Sequence, residues 1–278
     1  MNAPTLPTCF PRLNISLSAR PSAVVARLHR AAYTAADLPF TYSSIAVDDF
    51  PAAVAGARAL GVRGIGVGVP FKLAALALAD VVAPEATAVG AVNTLVNEGG
   101  RWEGHNVDIV GARRALAEVV AVRGARFAVV GAGGAARAIA QALREEGAAV
   151  EILARDPSRA LAMTRALGLP DPAMFTADTD LAGYDGVVNA TPVGFHDATA
   201  LPFAAQRLVP GQILFDAVVG TGPTRLVREA QAQGCRVVSG PRMLVHVIGE
   251  QIALYTGRPP DIAVLKRALQ SGEGNGED

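Results

Sequence analysis

Residues 127–136, FAVVGAGGAA, constrain this chain more than any other stretch. An apolar run ends in Gly131-Ala132-Gly133-Gly134-Ala135-Ala136, and a helical pattern from Arg137 to Glu146 starts at once. A second apolar run, Ala149 to Leu153, follows. The order is strand, glycine turn, helix, strand. Gly131 permits the tight turn, Gly133 lets the backbone approach a pyrophosphate, and Ala136 allows helix and strand to pack closely. The helix N-terminus then faces the anion with unpaired N–H groups and the positive end of its dipole. Glycine clusters also make ordinary turns, but the flanking strands and helix favour a dinucleotide site. Gly131, Gly133, Gly134 and Ala135 form its expected cradle.

The end of the next strand bears on which dinucleotide binds. NAD-type sites place an acid there, about 20 residues past the glycines, whereas NADP-type sites bring in arginine. This chain reads Ala154-Arg155-Asp156-Pro157-Ser158-Arg159, so the acid position holds Ala154. A helix N-terminus gains nothing from cations, but a guanidinium matches a phosphate bidentately. Arg155 and Arg159 are therefore expected to select NADP over NAD. The plainer alternative makes them solvated residues at a helix start.

A length of 278 residues allows one large or two medium domains. Twenty-five basic residues balance 25 acidic ones, which argues against nucleic acid as a main partner. Cys9 and Cys235 are too few and too distant for a disulfide framework or zinc site. His29, His105, His196 and His246 lack metal-ligand spacing, so no metal is expected. The opening MNAPTLPTCFPRLN has no charged start followed by an apolar core, and no apolar run spans a bilayer. The expectation is a cytoplasmic protein, monomer or homodimer, with no membrane partner and a frayed tail from Ser271 to Asp278.

Strand-like and helix-like segments alternate through the first hundred residues, which implies an α/β layer. Leu13–Leu17, Thr41–Val47 and Arg63–Val69 read as strands, with helices over Pro21–Ala36 and Phe50–Leu60. Ala91–Val96 and Trp102–Asn106 read as a hairpin around Asn97-Glu98-Gly99-Gly100. A helix over Ile109–Val120 leads into the glycine motif, and strands at Gly186–Ala190 and Gln212–Ala217 extend its sheet. Helices are expected over Pro223–Gln233, Pro241–Thr256 and Pro260–Leu269. The fold class is α/β: an N-terminal open α/β domain and a Rossmann domain, with a cleft between them. Ligands of open parallel sheets sit beyond the carboxyl ends of the strands.

Lys72 follows one such strand and shares the whole chain with a single other lysine, Lys266. Lysine gives up a proton when desolvated, whereas arginine effectively does not. A surface lysine opening a helix is the bland alternative. Asn93, Asn106 and Asp108 fall at the same expected sheet edge, where Asp108 can hold the ammonium and the carboxamides can read hydroxyls. Hydride transfer between an alcohol carbon and a nicotinamide needs a group that takes the hydroxyl proton. Lys72 is the candidate acid–base group with Asp108 orienting it, and Asp108 as principal base is the competing assignment. Ser16 and Ser18 share one face of an extended chain and can bind one small polar ligand. Asn189 and Thr191 end a strand of the second domain, where they can flank the nicotinamide half of the cofactor.

As a set, these motifs resemble the shikimate dehydrogenase family over nearly the whole chain. The matching pieces are Ser16-Leu17-Ser18, Val69-Pro70-Phe71-Lys72, Gly90 to Thr94, and Gly104, Asn106, Asp108 and Gly111. GAGGAA at Gly131–Ala136, NATPxG at Asn189–Gly194 and the helix start Gly240–Val245 complete the set. The resemblance implies reduction of 3-dehydroshikimate to shikimate with NADPH, using Lys72 and Asp108 as the Lys–Asp pair. It implies that Ser16, Ser18, Asn93 and Asn106 bind the substrate, a cyclic polyol carboxylate. The basic cofactor motif corresponds to residues 154–159, its leading Asn replaced by Ala154. Implied domains are 1–108 for substrate, 109–238 for NADP, and 239–278 as helices returning to the first.

Four positions depart from the family pattern. Gly68 replaces Thr, Val107 replaces the Thr of NTD, Val219 replaces Tyr, and Val247 replaces Gln. The form SLSARPS, Ser16 to Ser22, resembles the shikimate dehydrogenase-like branch. Each lost hydroxyl partner typically costs about 1 kcal/mol, so quinate or an aminoshikimate competes with shikimate as substrate. The alternative function is a non-catalytic NADP-binding regulatory protein with a degenerated substrate site. A folate-linked dehydrogenase shares the expected architecture but not these motifs.

Overall fold

The computed structural model describes residues 12–176, 178–220 and 222–273. Cys9, most of the segment inspected for a signal peptide, and the tail 274–278 lie outside the described residues.

The first sheet begins with β1 (Arg12–Ser18), followed by α1 (Ala23–Ala35). Ser22 caps α1, its side chain accepting from Val25 N. Next come β2 (Phe40–Ala46), α2 (Phe50–Ala59) and β3 (Gly64–Val67), and both strands run parallel to β1. Then follow α3 (Lys72–Leu78), β4 (Val81–Val82), α4 (Pro84–Val89), β5 (Thr94–Glu98) and β6 (Arg101–His105). β5 and β6 form the expected antiparallel hairpin. Gly99 and Gly100 both have positive φ, +62 and +88, which a two-residue type I′ turn requires. The sheet order is β2-β1-β3-β5-β6-β4.

α5 (Asp108–Ala117) leads into the second sheet. Its elements are β7 (Arg126–Val130), α6 (Gly134–Glu145), β8 (Ala149–Ala154), α7 (Pro157–Ala166) and β9 (Ala173–Met174). β10 (Gly186–Asn189), β11 (Ile213–Asp216), α8 (Arg225–Ala232) and β12 (Arg236–Ser239) complete it. All pairings are parallel, in the order β12-β11-β10-β7-β8-β9. This is a doubly wound sheet whose strand order reverses between β7 and β10, where ligands of such folds bind.

The last helices, α9 (Gly240–Thr256) and α10 (Ile262–Glu273), return to the first sheet. α10 lies against α1, where Arg27 Nε donates to Ala268 O at 3.0 Å. α9 approaches the sheet closely because β3 and its exit are glycine on one face. The Tyr255 ring lies against Gly64, and a Cβ at Gly66 would stand 3.2 Å from Gln251 Nε2. The stripe continues at Gly68, beside Ser18.

The expected strand over Arg63–Val69 is shorter in the structure, because the chain turns at Gly68, where Phe71 N donates back to Gly68 O. The short elements β4, α4, β9 and β12 were not expected, and α3 only in the plainer reading of Lys72 as a helix opener. Each has seven residues or fewer, too short to show a hydrophobic period.

Candidate active site

Lys72 opens α3 and Asp108 opens α5, so two helix starts converge on one point beside the first sheet. Val92 N donates to Lys72 O at 3.0 Å, which ties the lysine backbone to the segment before β5. Lys72 Nζ donates to Asp108 Oδ2. The lysine side chain retains 20% of its exposure and the aspartate 9%, so the pair is shielded yet open on the lysine side. Asp108 stands in the first turn of α5, where the helix dipole suits an acidic side chain.

Asn93 and Asn106 build the frame that holds Asp108. Asn93 Oδ1 accepts from Val107 N at 2.9 Å and from Thr94 Oγ1 at 3.0 Å. Asn106 Nδ2 donates to Ala91 O at 3.0 Å, and its Oδ1 accepts from Asp108 N at 3.2 Å. Asn106 thus spends both ends of its carboxamide inside the protein, whereas the Asn93 amino group makes no such bond among the described residues. Ser16 Oγ donates to Ser44 Oγ at 2.8 Å, and Ser18 Oγ to Arg20 O at 2.5 Å.

The glycine turn faces this cluster from the second domain. Gly131 has φ +120, and a Cβ there would come within 2.9 Å of Ala190 O, so no larger residue fits between β7 and β10. The Cβ side of Gly133 is open, with nothing within 4 Å. No side chain caps α6, which leaves the amides of its first turn available for an anion. At Gly134 the nearest neighbour is Lys72: a Cβ would lie 3.4 Å from its Cδ. The Lys72 side chain and the glycine turn are therefore neighbours.

Arg155 and Arg159 stand exposed around the start of α7. Asp156 caps that helix, accepting from Ser158 N at 3.2 Å, and pairs with Arg159 at 3.1 Å. The Ser158 hydroxyl and the cap hold the Asp156 carboxyl below its ordinary value. Asn189 is fully buried and works as a brace: its Nδ2 donates to Asp216 Oδ1 at 2.9 Å, and its Oδ1 accepts from Thr191 Oγ1 at 2.7 Å. Burial raises the Asp216 carboxyl above its usual range, against the hydrogen bonds from Thr224, Val218 and Asn189. The side chains of Asn189 and Thr191 thus shape the loop after β10.

Three of the four departures sit in packed surroundings, and nothing in the structure explains Val219. A Cβ at Gly68 would stand 2.5 Å from Ser18 Cβ, so Thr is excluded while Ser18 keeps its place. Val247 packs onto Gly111 of α5, and Val107 is buried at the α5 start. Two arginines that reach from one sheet's elements to the other's were not singled out from the sequence. Arg137 of α6 reaches across to donate to Val89 O at 3.4 Å, and Arg20 meets His196 Nδ1 at 3.2 Å. The unusual Ala19-Arg20-Pro21 after the serine pair was the available signal for Arg20.

Fold and site together define a two-domain α/β dehydrogenase with its amine–carboxylate pair at the cleft. The shikimate dehydrogenase substrate binding domain matches residues 17–95. A shikimate dehydrogenase (NADP(+)) of Methanosarcina mazei is 37% identical over 256 residues, 87% of this chain and 91% of that one. The chain belongs to the shikimate dehydrogenase family. Shikimate 5-dehydrogenase from Thermus thermophilus, solved with NADP(H) and shikimate, superposes with TM-score 0.84 at 33% identity, covering 94% of this chain and 99% of that one. The 5-ketofructose reductase of Gluconobacter sp. strain CHM43 superposes with TM-score 0.86 at 30% identity, covering 94% and 98%.

Proposed function

We propose that the protein is an NADP-dependent dehydrogenase that interconverts 3-dehydroshikimate and shikimate, or a closely related cyclic polyol acid. The observation that carries this reading is the shielded Lys72–Asp108 pair lying against Gly134 of the dinucleotide turn. The residues present fit the cofactor: an open approach at Gly133, an uncapped α6, and two exposed arginines after β8. Gly131, Gly133, Gly134 and Ala135 would hold the pyrophosphate, and Arg155 and Arg159 the 2′-phosphate. When bound, NADP(H) supplies or accepts the hydride.

The chain's own residues manage the proton and the orientation. Lys72 Nζ gives a proton to the carbonyl oxygen as it becomes a hydroxyl, or takes it in the reverse direction. Asp108 holds the amine in place, and the Asn93 and Asn106 carboxamides hold Asp108 and its helix start. Ser16, Ser18 and the Asn93 amino group line the substrate side. The shikimate solved in the Thermus thermophilus enzyme supports this substrate class. The preserved Lys–Asp geometry favours an enzyme over a regulatory nucleotide binder.

Lys72→Ala is expected to lower kcat by about 10²- to 10⁴-fold, the usual worth of a positioned acid–base group. NADPH binding, followed by fluorescence titration, should stay within a few-fold of the parent. Equal turnover in parent and variant would remove Lys72 from the chemistry. Absorbance assays crossing NAD and NADP with shikimate and quinate decide cofactor and substrate together.

A further inference from the structure

Gln251 of α9 is only 5% exposed, on the side of the helix that packs against the first sheet. Val247, Ile248 and Ile252 around it are buried hydrophobics. A carboxamide in such surroundings costs free energy unless it finds hydrogen-bond partners. This one reaches out of its own helix to β5, where Gln251 Nε2 donates to Thr94 Oγ1 at 3.1 Å.

A glycine makes that reach possible. Val247, Gln251 and Tyr255 stand one turn apart on one face of α9, and each meets a glycine: Gly111, Gly66 and Gly64 respectively. Gly66 of β3 is paired with Thr94 of β5. A Cβ at residue 66 would stand 3.2 Å from Gln251 Nε2 and 3.0 Å from the Tyr42 hydroxyl, so a side chain there would crowd both. Its absence lets the glutamine pass over β3 and end on Thr94.

Thr94 carries the contact on to the site. Its Oγ1 donates to Asn93 Oδ1 at 3.0 Å, and the same oxygen accepts from Val107 N at 2.9 Å. A backbone N–H only donates, so Val107 settles which end of the Asn93 carboxamide is the oxygen. With Oδ1 held from two sides, the plane of the carboxamide is set. Its amino group, the end assigned to the substrate, then points in one direction. With the Thr94 contact loosened, the carboxamide is free to turn about its bond to Val107.

We infer that Gln251 is a positioning residue for substrate binding: it holds the Thr94 hydroxyl, which in turn holds the Asn93 carboxamide with its amino group towards the substrate. The inference rests on the proposed function as a dehydrogenase of cyclic polyol acids. It gives the returning C-terminal helix a part in recognition through two intervening side chains.

The test is steady-state kinetics on shikimate and quinate with NADP, for the parent, Gln251→Met, Gln251→Leu, Thr94→Val, Thr94→Ser, Asn93→Ala and the double variant of Gln251→Met with Asn93→Ala. Met and Leu suit a helix and an apolar neighbourhood, so the fold is kept. Gln251→Met, Gln251→Leu and Thr94→Val should each raise KM about 3- to 10-fold, the scale of one hydrogen bond. kcat should stay within about twofold, as for a loss of uniform binding, because Asn106 still holds Asp108 N. Thr94→Ser keeps the hydroxyl and should recover most of the loss. In the Asn93→Ala background, Gln251→Met should add less than about twofold to KM, because the group it positions is gone. An equal rise in KM with and without Asn93, or a loss shared by kcat and NADPH binding, would make Gln251 a packing residue and overturn the inference. An unchanged KM in both Gln251 variants of a parent that turns over either acid overturns the inference alone. A parent that turns over neither acid overturns the functional reading, and this inference with it.

Discussion

His29 is wholly buried between α1 and the first sheet, its ring stacked on Tyr42 with centroids 3.7 Å apart. Its Nδ1 lies 3.0 Å from Val25 O, and a carbonyl only accepts, so that nitrogen carries the proton of the neutral ring. Burial pushes the imidazole down to about 3 from its ordinary 6.5, against that hydrogen bond. Below pH 6.5 the unfolded chain binds a proton that the folded chain refuses, so stability falls with pH until about pH 3. The slope approaches about 1.4 kcal/mol per pH unit for this one group. Urea unfolding at pH 7.5 and pH 5 should show the parent losing about 2 kcal/mol more than His29→Phe. Parallel losses would mean that His29 titrates normally in the fold. None of this was legible in the sequence, where His29 carried only the negative result of lacking metal-ligand spacing. Lys72 was legible because it is rare and follows a strand. The contact of Arg20 with His196 was not, because its partners lie 176 positions apart.

Among the elements, α5, α9 and α10 meet at one carboxylate. Glu118, at the end of α5, accepts from His246 Nε2 at 2.9 Å and from Lys266 Nζ at 2.7 Å, and it also accepts from Arg242. Burial alone would raise the Glu118 carboxyl, but the hydrogen bonds from Lys266, Arg242 and His246 hold it at about 2. A depressed carboxyl stabilises the fold above pH 4.5, and that contribution is lost as pH falls towards 2. Glu118→Gln should therefore cost about 1–3 kcal/mol at pH 7. The difference from the parent should close between pH 4.5 and 2, read from thermal melts. A constant deficit across that range would assign the effect to packing. Long elements with a clear period were legible: α1, α6, α9 and the β5–β6 hairpin fall close to where the sequence puts them. β4, α4, β9 and β12 were not, because short elements take their form from neighbours such as Trp102 O, which accepts from Asp80 N beside β4. A clamp joining residues 118, 242, 246 and 266 is likewise invisible without the fold that gathers them.

For the whole molecule, the two sheets are coupled through helices that both share. α5 packs on both α6 and α9, so one helix touches the second sheet and the returning C-terminal segment. Arg137 of α6 donates to Val89 O, and Gly134 touches Lys72. Burial lowers the Arg137 guanidinium from its ordinary value, and its side chain is half-buried where it reaches Val89 O. A ligand that binds only the folded chain stabilises it by about 2.7 kcal/mol at a hundred times its Kd. That stabilisation stays local when domains open independently and spreads when they open together. The shared helices predict spreading. In hydrogen exchange with saturating NADP, protection should rise at Gly131–Ala136 and also in α4, α5 and the Lys72 segment, although the cofactor is proposed to sit on the second sheet. The β2 edge, far from the α5 contacts, should change least. Protection confined to residues 126–239 would show that the domains unfold separately, and the Lys72–Gly134 contact would then be one arrangement among several open ones.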